Sequence, residues 1–129
     1  MAKVLIIDDD EDARTMMVRI CTNVGVETIL ASNGVDIEGV MNPDVVLALL
    51  DWEGDSQGLE CARFIRKRFP GVCVYIFSGA DHGTIANTLH AEKVSVAGII
   101  DKPAHMEEIE RVVLSALAAA RGEWPYNTA

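Results

Sequence analysis

The sequence predicts an α/β domain, a doubly wound five-stranded parallel sheet with helices on both faces. Three observations carry this reading. Short apolar runs alternate with segments of helical periodicity five times along the 129 residues. The connections between them are short, which calls for right-handed crossovers within one sheet. The run Val45-Val46-Leu47-Ala48-Leu49-Leu50 is apolar without alternation, as a central strand covered on both faces must be.

The elements follow in order. Lys3 to Ile7 reads as a first buried strand that runs straight into Asp8-Asp9-Asp10-Glu11-Asp12. Ala13, Met16, Met17, Ile20 and Val24 recur at helical spacing, with Asp10 or Asp12 able to cap the start and Gly25 suited to the stop. Val26 to Ala31 is a β-rich run closed by Asn33-Gly34, and Val35, Ile37, Val40 and Met41 suggest a short helix before Pro43. After the central strand and a turn at Gly58, Leu59, Ala62, Ile65, Arg66 and Phe69 mark a helix with a basic outer face, Arg63, Arg66, Lys67 and Arg68, ended by Pro70-Gly71. Val72 to Phe77 is a fourth strand leading to Ser78-Gly79-Ala80. His82 to Glu92 forms a weak helix whose apolar face is Ile85, Ala86 and Leu89, and Val94 to Ile100 supplies the fifth strand, leading to Asp101-Lys102-Pro103. The last helix, about His105 to Arg121, is expected to bury Met106, Ile109, Val113, Leu117 and Ala120, so residues 1–121 read as one domain and 122–129 as a tail.

Composition narrows the function classes. Half of the residues are hydrophobic and charge content is ordinary, which fits a globular domain with a real core. No apolar run is long enough to cross a bilayer, and the chain opens on a strand instead of a signal peptide, so the expectation is a cytoplasmic protein without membrane insertion. A net charge of -9 argues against direct nucleic-acid binding. Cys21, Cys61 and Cys73 sit among core-forming residues and are not grouped with His82, His90 or His105, so they read as small buried hydrophobes and not as zinc ligands.

Four strands end in a polar group: Asp8/Asp9, Asp51, Ser78 and Lys102. In a parallel sheet these ends share one edge, the edge at which open α/β sheets bind ligands. Two or three carboxylates gathered there repel one another and favour a hard divalent cation such as Mg²⁺. A carboxylate beside that ion is a competent nucleophile toward phosphorus, with Lys102 and the Ser78 hydroxyl placed to stabilise the transferring phosphoryl oxygens. Each part has a plain structural reading as well: the acids as a helix cap, Ser78 as a turn residue, Asp51 as a loop cap.

The joint order Val4-Leu5-Ile6-Ile7-Asp8-Asp9-Asp10, Leu49-Leu50-Asp51-Trp52, Ser78 and Lys102-Pro103 resembles the receiver domain of two-component response regulators, up to about Arg121. The resemblance implies a flavodoxin-like sheet of strand order 2-1-3-4-5. It implies that Asp9 ligates Mg²⁺ directly, that Asp8 does so directly or through water, and that the Glu53 backbone carbonyl completes the metal site. Asp51 would then be the phosphoacceptor, Ser78 the switch hydroxyl, and Lys102 the active-site lysine, with a proline whose peptide bond is commonly cis. The implied function is a phosphorelay switch that takes a phosphoryl group from a histidine kinase or phosphotransfer protein and acts on a downstream output protein or domain. Such a switch is not a turnover enzyme, and a phosphorylation-dependent homodimer is one outcome.

This chain departs from the pattern at three places. The loop after Asp51 is short and lacks a proline before Gly58; Ile99 stands where a switch aromatic is common; and Glu53 adds a carboxylate near the pocket, which is expected to alter phosphoryl lifetime. Two other readings compete: a degenerate receiver acting as a phosphorylation-independent interaction module, and a haloacid-dehalogenase-like phosphatase using Asp8-Asp9-Asp10. The phosphatase would need a further acidic strand end after the lysine.

Overall fold

The computed structural model describes residues 1–32, 37–52, 56–103 and 105–122. The elements are β1 (Lys3–Ile7), α1 (Glu11–Val24), β2 (Glu27–Ala31), α2 (Ile37–Val40), β3 (Val45–Asp51), α3 (Ser56–Arg68), β4 (Cys73–Ser78), α4 (His82–Ala91), β5 (Gly98–Asp101) and α5 (Met106–Ala120). All strand pairs are parallel, as the α/β reading requires, in the order β2-β1-β3-β4-β5 that the resemblance implies.

Alternation along the inner strands sorts their side chains into two cores. Leu5, Ile7, Ala48, Leu50, Val74 and Ile76 face one side and pack with Ala62 and Ile65 of α3 and Ile85 and Leu89 of α4. Val4, Ile6, Leu47, Leu49, Phe77 and Ile100 face the other and pack with Met17 and Ile20 of α1 and Ile109, Val113 and Leu117 of α5. β1 and β3 are sealed on both sides, with Val4, Leu5, Ile6, Leu47 and Ala48 fully buried. Each buried Leu or Ile contributes about 1.5–3 kcal/mol. These strands can therefore carry a cluster of like charges at their ends.

Local chemistry sets the helix ends. Asp10 caps α1 by accepting the amide of Asp12 at 3.0 Å, and Asp81 caps α4 by accepting that of Thr84 at 3.0 Å. Gly25, at φ 90°, closes α1 in the left-handed conformation, its amide donating to the Cys21 and Thr22 carbonyls.

Several boundaries differ from the sequence expectation. Gly58 is not a turn before α3; it lies inside the helix, which starts at Ser56. β5 begins at Gly98 and not at Val94. Lys93 takes φ 58° in the turn that closes α4, and the Val94 amide donates back to the Leu89 carbonyl, so this apolar stretch is spent on the turn. Met106 and Ala120, the first and last residues of α5, are exposed although their spacing matches the buried stripe; Val112, Ala116 and Ala118 are buried in addition to Ile109, Val113 and Leu117. The expected Asn33-Gly34 turn, Val35, Glu53 and the tail from Glu123 lie outside the described residues.

Candidate functional site

The strand register builds the site. Ile7 of β1 pairs with Leu50 of β3, so Asp8 and Asp51 each follow a paired residue on adjacent parallel strands, which lie about 4.8 Å apart. Asp51 in turn pairs with Phe77 of β4, and Ser78 with Asp101 of β5. The ladders continue past the strand ends: the Asp8 amide donates to the Ala31 carbonyl (3.0 Å), that of Trp52 to Phe77 (3.0 Å) and that of Lys102 to Ser78 (2.9 Å). The first residue after each of β1, β3 and β5 is therefore held by a backbone hydrogen bond.

Asp8, Asp9 and Asp51 converge as expected, each offering a carboxylate oxygen within 4.8 Å of the others. Asp8 is buried, Asp51 half-buried and Asp9 exposed. Lys102 reaches across from the end of β5, and its ammonium donates to Asp51 Oδ1. The Lys102–Pro103 peptide bond is cis. Ser78 is fully buried, but its Oγ accepts from the Ala80 amide at 3.0 Å instead of meeting Asp51. Pleating explains this: Phe77, the strand partner of Asp51, shares its face, and Ser78 falls on the other. Glu53 lies outside the described residues.

Asp8 is the most constrained member. Its Oδ1 accepts the amide of Asp10 at 2.9 Å, while Oδ2 is buried without a hydrogen-bond partner among the described residues. Burial pushes its carboxyl above the ordinary range, the charges of Asp51 and Asp9 push the same way, and the Asp10 amide and the Lys102 ammonium oppose them. An orphaned carboxylate oxygen beside two further carboxylates is a donor set suited to a hard cation, and Mg²⁺ fits these residues.

Two contributions, the anchor from Arg14 and the packing of Trp52 against Gly58, were not read from the sequence. Arg14, from the first turns of α1, donates through Nη1 to the Asp8 carbonyl at 2.6 Å, fixing the backbone under the acid. Its only signal in the sequence was a cation six positions after Asp8. Trp52, next to Asp51, is fully buried in the α3/α4 core, and Gly58 lies flat against its ring: a Cβ on Gly58 would sit 2.1 Å from Trp52 Cδ1. A hollow of about 480 Å³ opens beside the site, with Met16, Met17 and Phe77 as its apolar wall and Asp8, Asp10 and Lys102 at its rim.

Residues 4–114 match the family model described as the response regulator receiver domain. The chain belongs to this family. The receiver domain is 34% identical over 110 residues to an NtrX-like response regulator of Rickettsia bellii, and 32% identical to one of Rickettsia felis. Each match covers 82% of this chain and 23% of the relative, so the receiver spans about a quarter of these longer proteins. Among solved structures, a response regulator from Thermotoga maritima superposes with a TM-score of 0.78 at 20% identity, covering 92% of this chain and 98% of that one. NtrX from Brucella abortus superposes at 0.76 with 26% identity, covering 95% of this chain and 28% of that one. A BeF3-activated DrrB receiver domain, at 19% identity and covering 91% of this chain and 97% of that one, also superposes with a TM-score of 0.76. Among the described residues, no helix is long and apolar enough to cross a membrane.

Proposed function

We propose that residues 1–121 form a phosphoacceptor switch in which Asp51 takes a phosphoryl group from a histidine kinase or phosphotransfer protein. The supporting observation is the ion pair between Lys102 and Asp51 beside the clustered Asp8 and Asp9 carboxylates. An Asp51 carboxylate oxygen attacks the phosphorus of a phosphohistidine, the P–N bond breaks, the imidazole departs with the electron pair, and an acyl phosphate remains on Asp51.

Lys102 has two tasks in sequence. Before transfer it orients the Asp51 carboxylate, and as charge builds on the phosphoryl oxygens its ammonium neutralises them. Asp8, Asp9, Asp51 and the Glu53 carbonyl would hold Mg²⁺, which when bound supplies further neutralisation of the phosphoryl oxygens. Arg14 and the Asp10 amide keep Asp8 fixed under that load. Ser78 Oγ accepts from Ala80, which leaves its O–H to donate to a phosphoryl oxygen if the loop shifts toward Asp51. At Ile99, half-buried against the α3/α4 core, the response travels through aliphatic packing without a ring.

Support for a live receiver over a degenerate one comes from the complete set of acid pair, acceptor, hydroxyl and lysine at the strand ends. The phosphatase reading lacks its acidic strand end: among the described residues α5 alone follows Lys102. Mass spectrometry after incubation with Mg²⁺ and acetyl phosphate tests the proposal. The expected result is one phosphoryl adduct on the wild type and none on Asp51→Asn. A wild type that stays unmodified, and binds no beryllofluoride, would establish the degenerate module instead. Sedimentation with and without beryllofluoride tests the homodimer, and residues 122–129 are proposed to be a tail that the switch does not require.

A further inference from the structure

We propose that the groove between α3 and the α4–β5 connection binds an oligophosphate chain, at a site separate from the phosphoacceptor pocket. The chain carries a net charge of -9 with 11 lysines and arginines, yet Arg63, Arg66, Lys67 and Lys93 all line this one groove, together with Val94 and Ser95. It lies at the other end of the sheet from Asp51: Arg66 donates to the carbonyls of Pro70 at 3.1 Å and Val72 at 3.0 Å, just before β4 begins.

The two guanidinium groups are held in place before any ligand arrives. Arg66 is anchored on those carbonyls, and Arg63 bridges α3 to the end of α4 by donating to Glu60 and, at 2.8 Å, to Glu92. Lys67 and Lys93 are exposed, and their ammonium groups have no ion-pair or hydrogen-bond partner among the described residues. Lys93 is set by the turn at φ 58° that closes α4, so its backbone position does not depend on a ligand.

The ligand class follows from charge and size. Glu60 and Glu92 already engage Arg63, so an incoming anion must outcompete two carboxylates, which a single carboxylate or chloride does not do. An oligophosphate brings three or four charges and pairs of terminal oxygens on one phosphorus that match the guanidinium forks, while the two lysines act as point charges on the remaining oxygens. The groove, about 290 Å³ in volume, accommodates a phosphate chain among its four cationic side chains. At physiological salt the screening length is about 8 Å, so this local patch and not the net charge governs a bound phosphate.

Calorimetric titration of the whole chain with sodium tripolyphosphate, without Mg²⁺, tests the site. The double variant Lys67→Gln/Lys93→Gln is expected to bind it at least about tenfold more weakly than wild type. Its circular dichroism and acetyl-phosphate labelling of Asp51 should be unchanged, which separates this site from the proposed phosphoacceptor. ATP is expected to bind within about threefold of tripolyphosphate, as contact through phosphates alone requires. Equal affinity in wild type and double variant, or no binding at millimolar tripolyphosphate, overturns the proposal. An octaglutamate peptide that binds as tightly would show an acidic-peptide surface instead, and ATP binding tenfold tighter would show that the base and not only the phosphate chain is recognised.

Discussion

The Lys102 ammonium and the Asp51 carboxylate meet across a sequence separation of 51 residues, joining the end of β5 to the end of β3. Replacing Lys102 with Met removes the cation from a cluster of three carboxylates. Because Lys102 is a third exposed, the loss of stability should stay near or below about 1 kcal/mol. The loss of function should be larger: labelling of Asp51 by acetyl phosphate is expected to slow at least about tenfold, since the transition-state charge loses its fixed partner. Initial labelling rates followed by mass spectrometry, beside a urea melt, measure both.

Asp8→Asn should stabilise the metal-free protein at neutral pH. The amide keeps an acceptor for the Asp10 N–H and removes a buried carboxylate whose Oδ2 has no partner among the described residues. Removing that charge relieves its desolvation and its repulsion from Asp51 and Asp9, so the midpoint of chemical denaturation is expected to rise, together with weaker Mg²⁺ binding.

The same residue sets a pH dependence. Its pKa is raised in the folded protein above the ordinary 3.8, so between these two values the folded state holds a proton that the unfolded state has lost. Asp8 therefore makes stability fall as pH rises through that window. Mg²⁺ affinity should move the opposite way, rising with pH as the carboxyl ionises. Denaturation midpoints measured at increasing pH above the ordinary carboxyl value should show this component as a difference between wild type and Asp8→Asn.

Gly58→Ala should destabilise the fold even though alanine is favoured over glycine in a helix by about 1 kcal/mol. The new methyl would sit 2.1 Å from the Trp52 ring, which is fully buried, so ring or helix must shift. Overpacking of this kind costs about 1–3 kcal/mol, so a net loss in thermal melting is expected. A rise in melting temperature would show that the ring can shift at little cost.

Glu53→Gln is expected to change the lifetime of the acyl phosphate by removing a charge two residues after Asp51. The decay of labelled protein after removal of acetyl phosphate measures it; equal decay in the two proteins would assign Glu53 no part in hydrolysis.

The parts of the fold and site that could be read in advance were those written as uninterrupted patterns. β3 is six apolar residues with an acid at the end, and parallel strands put that acid on the same edge as Asp8; the register that pairs Ile7 with Leu50, and so brings the two acids together, was not written in either strand. The start of β5 was misplaced because Val94 and Val96 have strand-forming side chains, while the turn that uses that stretch depends on the backbone of Lys93. Gly58 resembled a turn residue because its reason for being glycine is the face of Trp52, a contact that no local pattern records. Arg14 was overlooked for a similar reason: a cation on an amphipathic helix looks solvated until the helix is seen to aim it at the Asp8 carbonyl. Ser78 was placed at the correct edge, but its hydroxyl partner depends on pleat parity at the last residue of β4.

Trp52 and Phe77 are joined by a backbone hydrogen bond of 3.0 Å, yet their side chains lie in different cores on opposite sides of the sheet. The sheet thus acts as a bulkhead. Repacking the layer beneath α1 and α5 should combine additively with changes around Trp52 and Ile85 wherever the altered groups share no contacts. One compartment can drift in sequence, or be redesigned for durability, while the other remains free to answer the chemistry at Asp51.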